Sequence, residues 1–128
     1  MREAAQLEIE SRPMHYGHVI ASALDATVWV KGPTTIIVEP SGFAASQAEA
    51  PPWLATAGAG DVLAGIAAAL MTAGLSSLDV GEVAAHVHGR AAMVAHRARN
   101  GGPLTASAVA ETTPEVVGAL LSAHSKTE

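Results

Sequence analysis

Ala57-Gly58-Ala59-Gly60-Asp61-Val62-Leu63-Ala64-Gly65 is the stretch on which the fold turns. Glycines on either side of one alanine make a tight turn. Beyond it Val62, Leu63, Ile66, Leu70 and Met71 recur at helical spacing to about Ala73, and Gly74 supplies a C-terminal cap. The remaining positions of this run are mostly alanine and glycine with almost no charge, which predicts a helix buried all round. A glycine turn at the start of a helix presents unpaired N–H groups and the positive end of the helix dipole, and glycine lets an anion approach the backbone. The plain alternative is a turn capped by Asp61 with no ligand. Asp61 weighs against that alternative. A carboxylate beside a phosphate is repelled by it, and it makes sense there if it accepts a proton from a hydroxyl attacking phosphorus.

Upstream, Thr27–Lys31 and Thr34–Val38 are rich in β-branched residues and flank Gly32-Pro33, so they read as a hairpin. Lys31 stands at a strand end before a glycine, where its ammonium can reach a phosphate, with Thr34 and Thr35 as further donors. An ordinary hairpin with a solvated lysine fits the same residues. Helices are expected over 2–12, ended near Pro13, and over His15–Leu24. Glu39–Pro52 reads as a loop and Trp53–Thr56 as a short extended piece. Downstream, Ser77–Ala98 reads as a long helix with Asp79 and Glu82 near its start, Arg97 and Arg99 near its end, and Gly101-Gly102-Pro103 to stop it. Thr105 is expected to cap a short helix through Ala110, and Thr113-Pro114 to open a last helix to Ala123. With so few strands for so many apolar helices, the expectation is an α/β layer with an incomplete sheet. Residues 1–14 form a polar N-terminal segment and 15–128 a partial domain.

Composition narrows the partners. Of 128 residues 49% are hydrophobic and only 15% charged, a low share for a surface that meets only water, so some of it is expected to meet other protein. The formal net charge of −5, without any lysine or arginine run, argues against nucleic acid or an anionic membrane as a partner. The absence of cysteine excludes disulfides and thiolate metal sites. The opening MREAAQLEIE has no apolar signal-peptide region, and the longest apolar run, Val62–Leu75, is short and broken by Gly65, Thr72 and Gly74, so a cytoplasmic protein is expected. Six histidines invite a metal reading, but His86 and His88 point to different faces of one helix and nothing nearby completes a site with His15 and His18. A core or solvated role is expected for each histidine, and no metal ligand set is assigned. Arg90, four residues after His86, is placed to reach either a phosphate or a helix neighbour.

Several segments together resemble one family. Val30-Lys31-Gly32-Pro33-Thr34-Thr35, Trp53–Gly65, His88-Gly89-Arg90-Ala91-Ala92 and Gly102-Pro103-Leu104-Thr105-Ala106 are similar, in order and spacing, to the ADP/ATP-dependent NAD(P)H-hydrate dehydratases. Ribokinase-like kinases share only the Gly-x-Gly-Asp core. The resemblance implies a ribokinase-like α/β fold, of which this chain is the C-terminal portion: a hairpin, several helices and an incomplete sheet. It implies repair of hydrated NADH or NADPH driven by ADP or ATP, with Mg2+ as a candidate companion ion. Asp61 matches the substrate-contacting acid and proton acceptor, Gly58, Ala59 and Gly60 the anion-binding turn, and Lys31, Gly32, Pro33, Thr34, Thr35 and Gly60 the nucleotide contacts. The chain departs from the family pattern in lacking its N-terminal half, in Ala59 for the usual Thr or Ser, and in Gln47–Pro51, where Glu49 adds negative charge. A homo-oligomer or a partner chain supplying the missing half is therefore expected. Two alternatives stand beside this reading: a small-molecule kinase of the same superfamily, acting on a sugar or vitamin precursor, and a non-catalytic nucleotide-binding remnant.

Overall fold

The structure, a computed structural model, describes residues 2–125. The chain runs through α1 (Arg2–Ser11), α2 (Pro13–Leu24), β1 (Val28–Val30), β2 (Thr35–Val38), β3 (Ala44–Gln47), a 3-10 turn (Pro52–Leu54), α3 (Ala59–Thr72), α4 (Ser77–Ala98) and α5 (Ala106–His124). The hairpin forms where its β-branched residues predict it: β1 pairs antiparallel with β2, with Trp29 opposite Ile37.

The segment read as a loop holds a third strand. β3 pairs antiparallel with β2, Thr35 opposite Gln47 and Val38 opposite Ala44, after a turn in which Glu39 N–H donates to Phe43 O at 2.9 Å and Gly42 takes a φ of +93°. Ala44, Ala45, Ser46 and Gln47 have little strand preference of their own. The edge of β2 supplies the hydrogen bonds that a propensity reading cannot see.

Side-chain alternation on β2 builds two layers of packing. Ile36 and Val38 join Ala21 of α2 in a core on one face. Ile37 turns to the other face, where α4 comes so close that a Cβ on Gly81 would lie 2.6 Å from Ile37 Cγ2 and 2.8 Å from Trp29 Nε1. Beyond α4, Leu63 and Ala67 of α3 pack with Val80 and Ala84, and Val87, Ala91, Ala92 and Ala95 pack with Leu104, Val109 and Val116. The order is thus α2, sheet, α4, with α3 and α5 against α4. Ser76 caps α4 by accepting from Asp79 N–H at 3.2 Å, and Thr105 caps α5 by accepting from Ala108 N–H at 3.2 Å.

Other expectations are revised. The piece at Trp53–Thr56 is not extended but follows from the 3-10 turn, with Leu54 N–H donating to Pro51 O at 2.9 Å. The two short helices expected after Thr105 are one continuous helix with Pro114 inside. Pro114 leaves the Ala110 carbonyl without its helical donor, and Ala110 is exposed to water that can replace it. The hydroxyls of Thr112 and Thr113 donate to Ala108 O and Val109 O at 2.8 and 3.0 Å, adding bonds just before the proline. Finally, α3 is not buried all round. It buries Ala59, Leu63 and Ala67, a stripe at i, i+4 and i+8, while Ala64, Gly65, Ala68, Ala69 and Met71 face outward. Low charge on this helix marks small residues on an open face rather than burial.

Candidate active site

The site grows from the start of α3. Gly58 is its N-cap residue, at φ +82°, a left-handed conformation that only glycine adopts without cost. A Cβ there would also stand 3.1 Å from Ala106 Cβ at the start of α5. Gly58→Ala is therefore expected to cost about 1–2 kcal/mol from the backbone conformation alone, read as a fall in the chemical denaturation midpoint without change in slope.

The amides of the turn divide into two kinds. Ala59 N–H donates to Thr56 O at 3.2 Å and Asp61 N–H to Gly58 O at 3.1 Å. The N–H groups of Gly58 and Gly60 have no partner among the described residues. Of the expected anion-binding amides, that of Ala59 is therefore engaged within the protein, in a residue that is itself buried, and those of Gly58 and Gly60 are open. Asp61, on the first turn of α3, is exposed and makes no ion pair among the described residues.

Lys31 ties the hairpin to this turn. Its Nζ lies 3.8 Å from where a Cβ on Gly60 would be, so the ammonium hangs over the start of the helix. It too has no acidic partner among the described residues. Beside it opens a cleft of about 620 Å³, lined by Lys31, Gly32, Pro33 and Thr35 together with Gln47, Ala50 and Pro51. Thr34 is exposed and outside that lining, and Gly58, Gly60 and Asp61 sit beside the cleft rather than in its wall. Glu49, expected to add charge near the nucleotide, turns its carboxylate to α4, 3.7 Å from His86 Nδ1. Gln47 meets the same ring nitrogen at 3.2 Å, and its Oε1 accepts from Glu49 N–H at 2.6 Å.

His88 is the residue that sequence reasoning left without a role. It lies on the inward stripe of α4 with Ala84, Ala91 and Ala95, reaches the cleft, and is only 3% exposed. Its Nε2 is buried with no hydrogen-bond partner among the described residues. A polar atom left in that state costs about 1–3 kcal/mol. A histidine set in a stripe of alanines was the available signal, together with its place in the His88-Gly89-Arg90 segment.

Burial pushes the His88 imidazole below its usual value of 6.5, and the Lys31 ammonium pushes it further the same way, against a smaller opposing pull from a hydrogen bond of the ring to the Ala59 backbone. The ring is held neutral in the fold. An unfolded chain takes up this proton at a higher pH than the folded one. The stability gained by keeping the ring neutral is complete above about pH 6.5 and is lost as pH falls toward the lower folded value. Thermal unfolding followed from about pH 8 to pH 5 is expected to show this loss, with a slope of up to about 1.4 kcal/mol per pH unit from this group. His88→Leu should remove that part of the slope.

Among the described residues no group of three or more His, Cys, Asp or Glu side chains stands close enough to hold a metal ion. No described helix is long and apolar enough to cross a membrane.

Comparison with known proteins agrees with the motifs. The family profile described as NAD(P)H-hydrate dehydratase, of the carbohydrate-kinase group, matches residues 1–115. A bifunctional NAD(P)H-hydrate repair enzyme of Thermofilum pendens is 37% identical over 101 residues, 79% of this chain and 19% of that enzyme. Those of Mycobacterium leprae and Mycobacterium tuberculosis (strain H37Rv) are 41% identical over 73 residues and 47% over 66, or 57% and 52% of this chain and 15% and 13% of theirs. The chain thus spans less than a fifth of the length of these relatives. No solved structure matches it. The match over nearly the whole chain, together with the ordered motifs at Lys31–Thr35, Gly58–Asp61 and His88–Arg90, places this chain in the NAD(P)H-hydrate dehydratase family, with the ribokinase-like α/β fold that the family carries.

Proposed function

We propose that this chain supplies the nucleotide-phosphate site and the catalytic base of an ADP- or ATP-dependent NAD(P)H-hydrate dehydratase. The observation that carries this reading is the convergence of the unpaired Lys31 ammonium, the open Gly60 amide and the exposed Asp61 carboxylate on one helix start. The donors suit phosphate oxygens, since a helix start and an ammonium both favour negative charge, and the Gly60 amide and the Lys31 ammonium are unanswered among the described residues. The cleft lined by Lys31, Thr35, Gln47 and Pro51 takes the rest of the nucleotide in this reading. Mg2+, where it accompanies the nucleotide, takes most of its ligands from phosphate and water.

In this reading the hydroxyl oxygen of the hydrated nicotinamide ring attacks the terminal phosphorus, its proton passes to Asp61, and AMP departs when ADP is the donor. Loss of phosphate and a ring proton then restores the double bond of NADH or NADPH. The pocket for the hydrated ring is completed by protein beyond these residues, from the same polypeptide or a partner chain. Recovery of NADH absorbance from its hydrate, with ADP supplied and the N-terminal half of the fold added, tests the reading. No recovery under those conditions refutes it, and phosphate transfer from ATP to a free alcohol instead would make the chain part of a small-molecule kinase. ADP binding in calorimetry with neither turnover would make it a nucleotide-binding remnant.

A further inference from the structure

We propose that His88 is a phosphate ligand: its Nε2–H hydrogen-bonds an oxygen of the anion held by Lys31 and the Gly60 amide. This deepens the reading of the Gly58–Asp61 turn as a nucleotide-phosphate site and rests on it. The starting point is an unanswered polar atom. His88 Nε2 has been taken out of water without gaining a partner among the described residues, although native folds satisfy nearly all such groups. The imbalance is local, because the same ring lies at the cleft wall beside Lys31, and Lys31 Nζ sits over Gly60. The ring also meets the Ala59 backbone, next to Gly60, so the ammonium, the ring and the turn are neighbours. The Lys31 ammonium, the Gly60 amide and His88 Nε2 each lack a partner among the described residues. An anion answers all of them together.

The surroundings fix the sign of the proton change that follows. The sheet side brings Lys31, whose positive charge helps to keep the ring neutral while the site is empty of anion. Of the other charged or titratable groups, α3 carries Asp61, the stretch after β3 Glu49, and α4 itself Asp79, Glu82, His86, Arg90, His96 and Arg97, of which His86 and Arg90 stand within two residues of the ring, while α5 brings no charged residue before Glu111. A bound phosphate offsets the Lys31 charge and offers Nε2 an acceptor, so it favours the imidazolium. Nucleotide binding at this site is therefore coupled to proton uptake by His88, and the bond formed is charge-assisted.

The test observes the ring directly. Imidazole resonances of the isotope-labelled chain are followed between about pH 5 and pH 8.5, free and saturated with ADP, with His88 assigned by its disappearance in His88→Gln. The expected result is titration below the usual histidine range in the free chain and a clear upward displacement with ADP. ADP affinity is measured in parallel by calorimetry. His88→Leu should weaken it roughly tenfold or more, and His88→Gln, which keeps a donor, should weaken it less and abolish proton uptake. If ADP binds but the His88 titration stays where it was, His88 is not a phosphate ligand and the reading of the turn survives. If ADP fails to bind the wild-type chain, the turn is not a nucleotide site and both fall. The resonance measurement needs only the wild-type chain with ADP once assigned, so a poorly folded Leu variant does not remove the test.

Discussion

Asp61→Asn is expected to lower the rate of NADH recovery from its hydrate by roughly a hundred- to ten-thousand-fold, the range over which a positioned general base acts, while ADP binding holds or tightens. The two halves of this result come from one feature. Asp61 stands on the first turn of α3, exposed and free of ion pairs among the described residues, next to the turn whose open amides and Lys31 suit a phosphate. A carboxylate so placed repels the bound nucleotide, and its removal relieves that repulsion. Asparagine keeps the shape and cannot take the proton of the attacking hydroxyl, so the loss falls on the chemical step. The measurement is turnover of the hydrate by the complemented enzyme, paired with calorimetry for ADP on the same variant. A rate within tenfold of wild type would remove Asp61 from the proton transfer. An equal loss in ADP affinity would make it a structural cap of α3 instead.

How much of this was legible without coordinates depends on whether a feature is written locally. The hairpin was, because Val28-Trp29-Val30 and Thr35-Ile36-Ile37-Val38 are strand-formers around Gly32-Pro33. So was α4, from acids near its start, arginines near its end and Gly101-Gly102-Pro103 to stop it. The Gly58–Asp61 turn was legible for the same reason, since Gly58 answers to a backbone angle that other residues avoid. What escaped was set by partners far away in sequence. β3 has no strand character until β2 offers its edge. Pro114 reads as a helix start, yet the helix continues through it, with the freed carbonyl turned to solvent. His88 reads as a core or solvated residue, and only the packing of α4 against the sheet and α3 reveals that its Nε2 is buried without a partner among the described residues. The small open face of α3 was mistaken for a buried one because alanine and glycine look the same to a hydropathy pattern on either side of a core.

Gly81→Ala carries the largest effect expected on the fold, and its sign is not given by the helix alone. Within α4 an alanine should gain up to about 1 kcal/mol over glycine from backbone preference. Against that, the added Cβ would lie 2.6 Å from Ile37 Cγ2 and 2.8 Å from Trp29 Nε1. Relief has to come from the sheet or the helix. Ile37 is only 1% exposed on the middle strand, and the opposite face of that strand is closed by α2, where a Cβ on Gly17 would itself meet Val38 Cγ2 at 2.8 Å. The strand cannot retreat, so α4 has to rise from the sheet, at an overpacking cost of about 3 kcal/mol. The net loss is then about 2 kcal/mol, a fall in melting temperature of roughly 5–10 °C. Because His88 lies two turns further along the same helix, the displacement should also separate it from Lys31 and weaken ADP binding. A double-mutant cycle with Ile37→Ala identifies the cause: the cavity left by Ile37 accepts the new methyl, so Ile37→Ala should cost less in the Gly81→Ala chain than in the wild type. Additive losses would mean that α4 and β2 yield independently, and the close helix–sheet contact at Gly81 would then not be what sets the distance between His88 and Lys31.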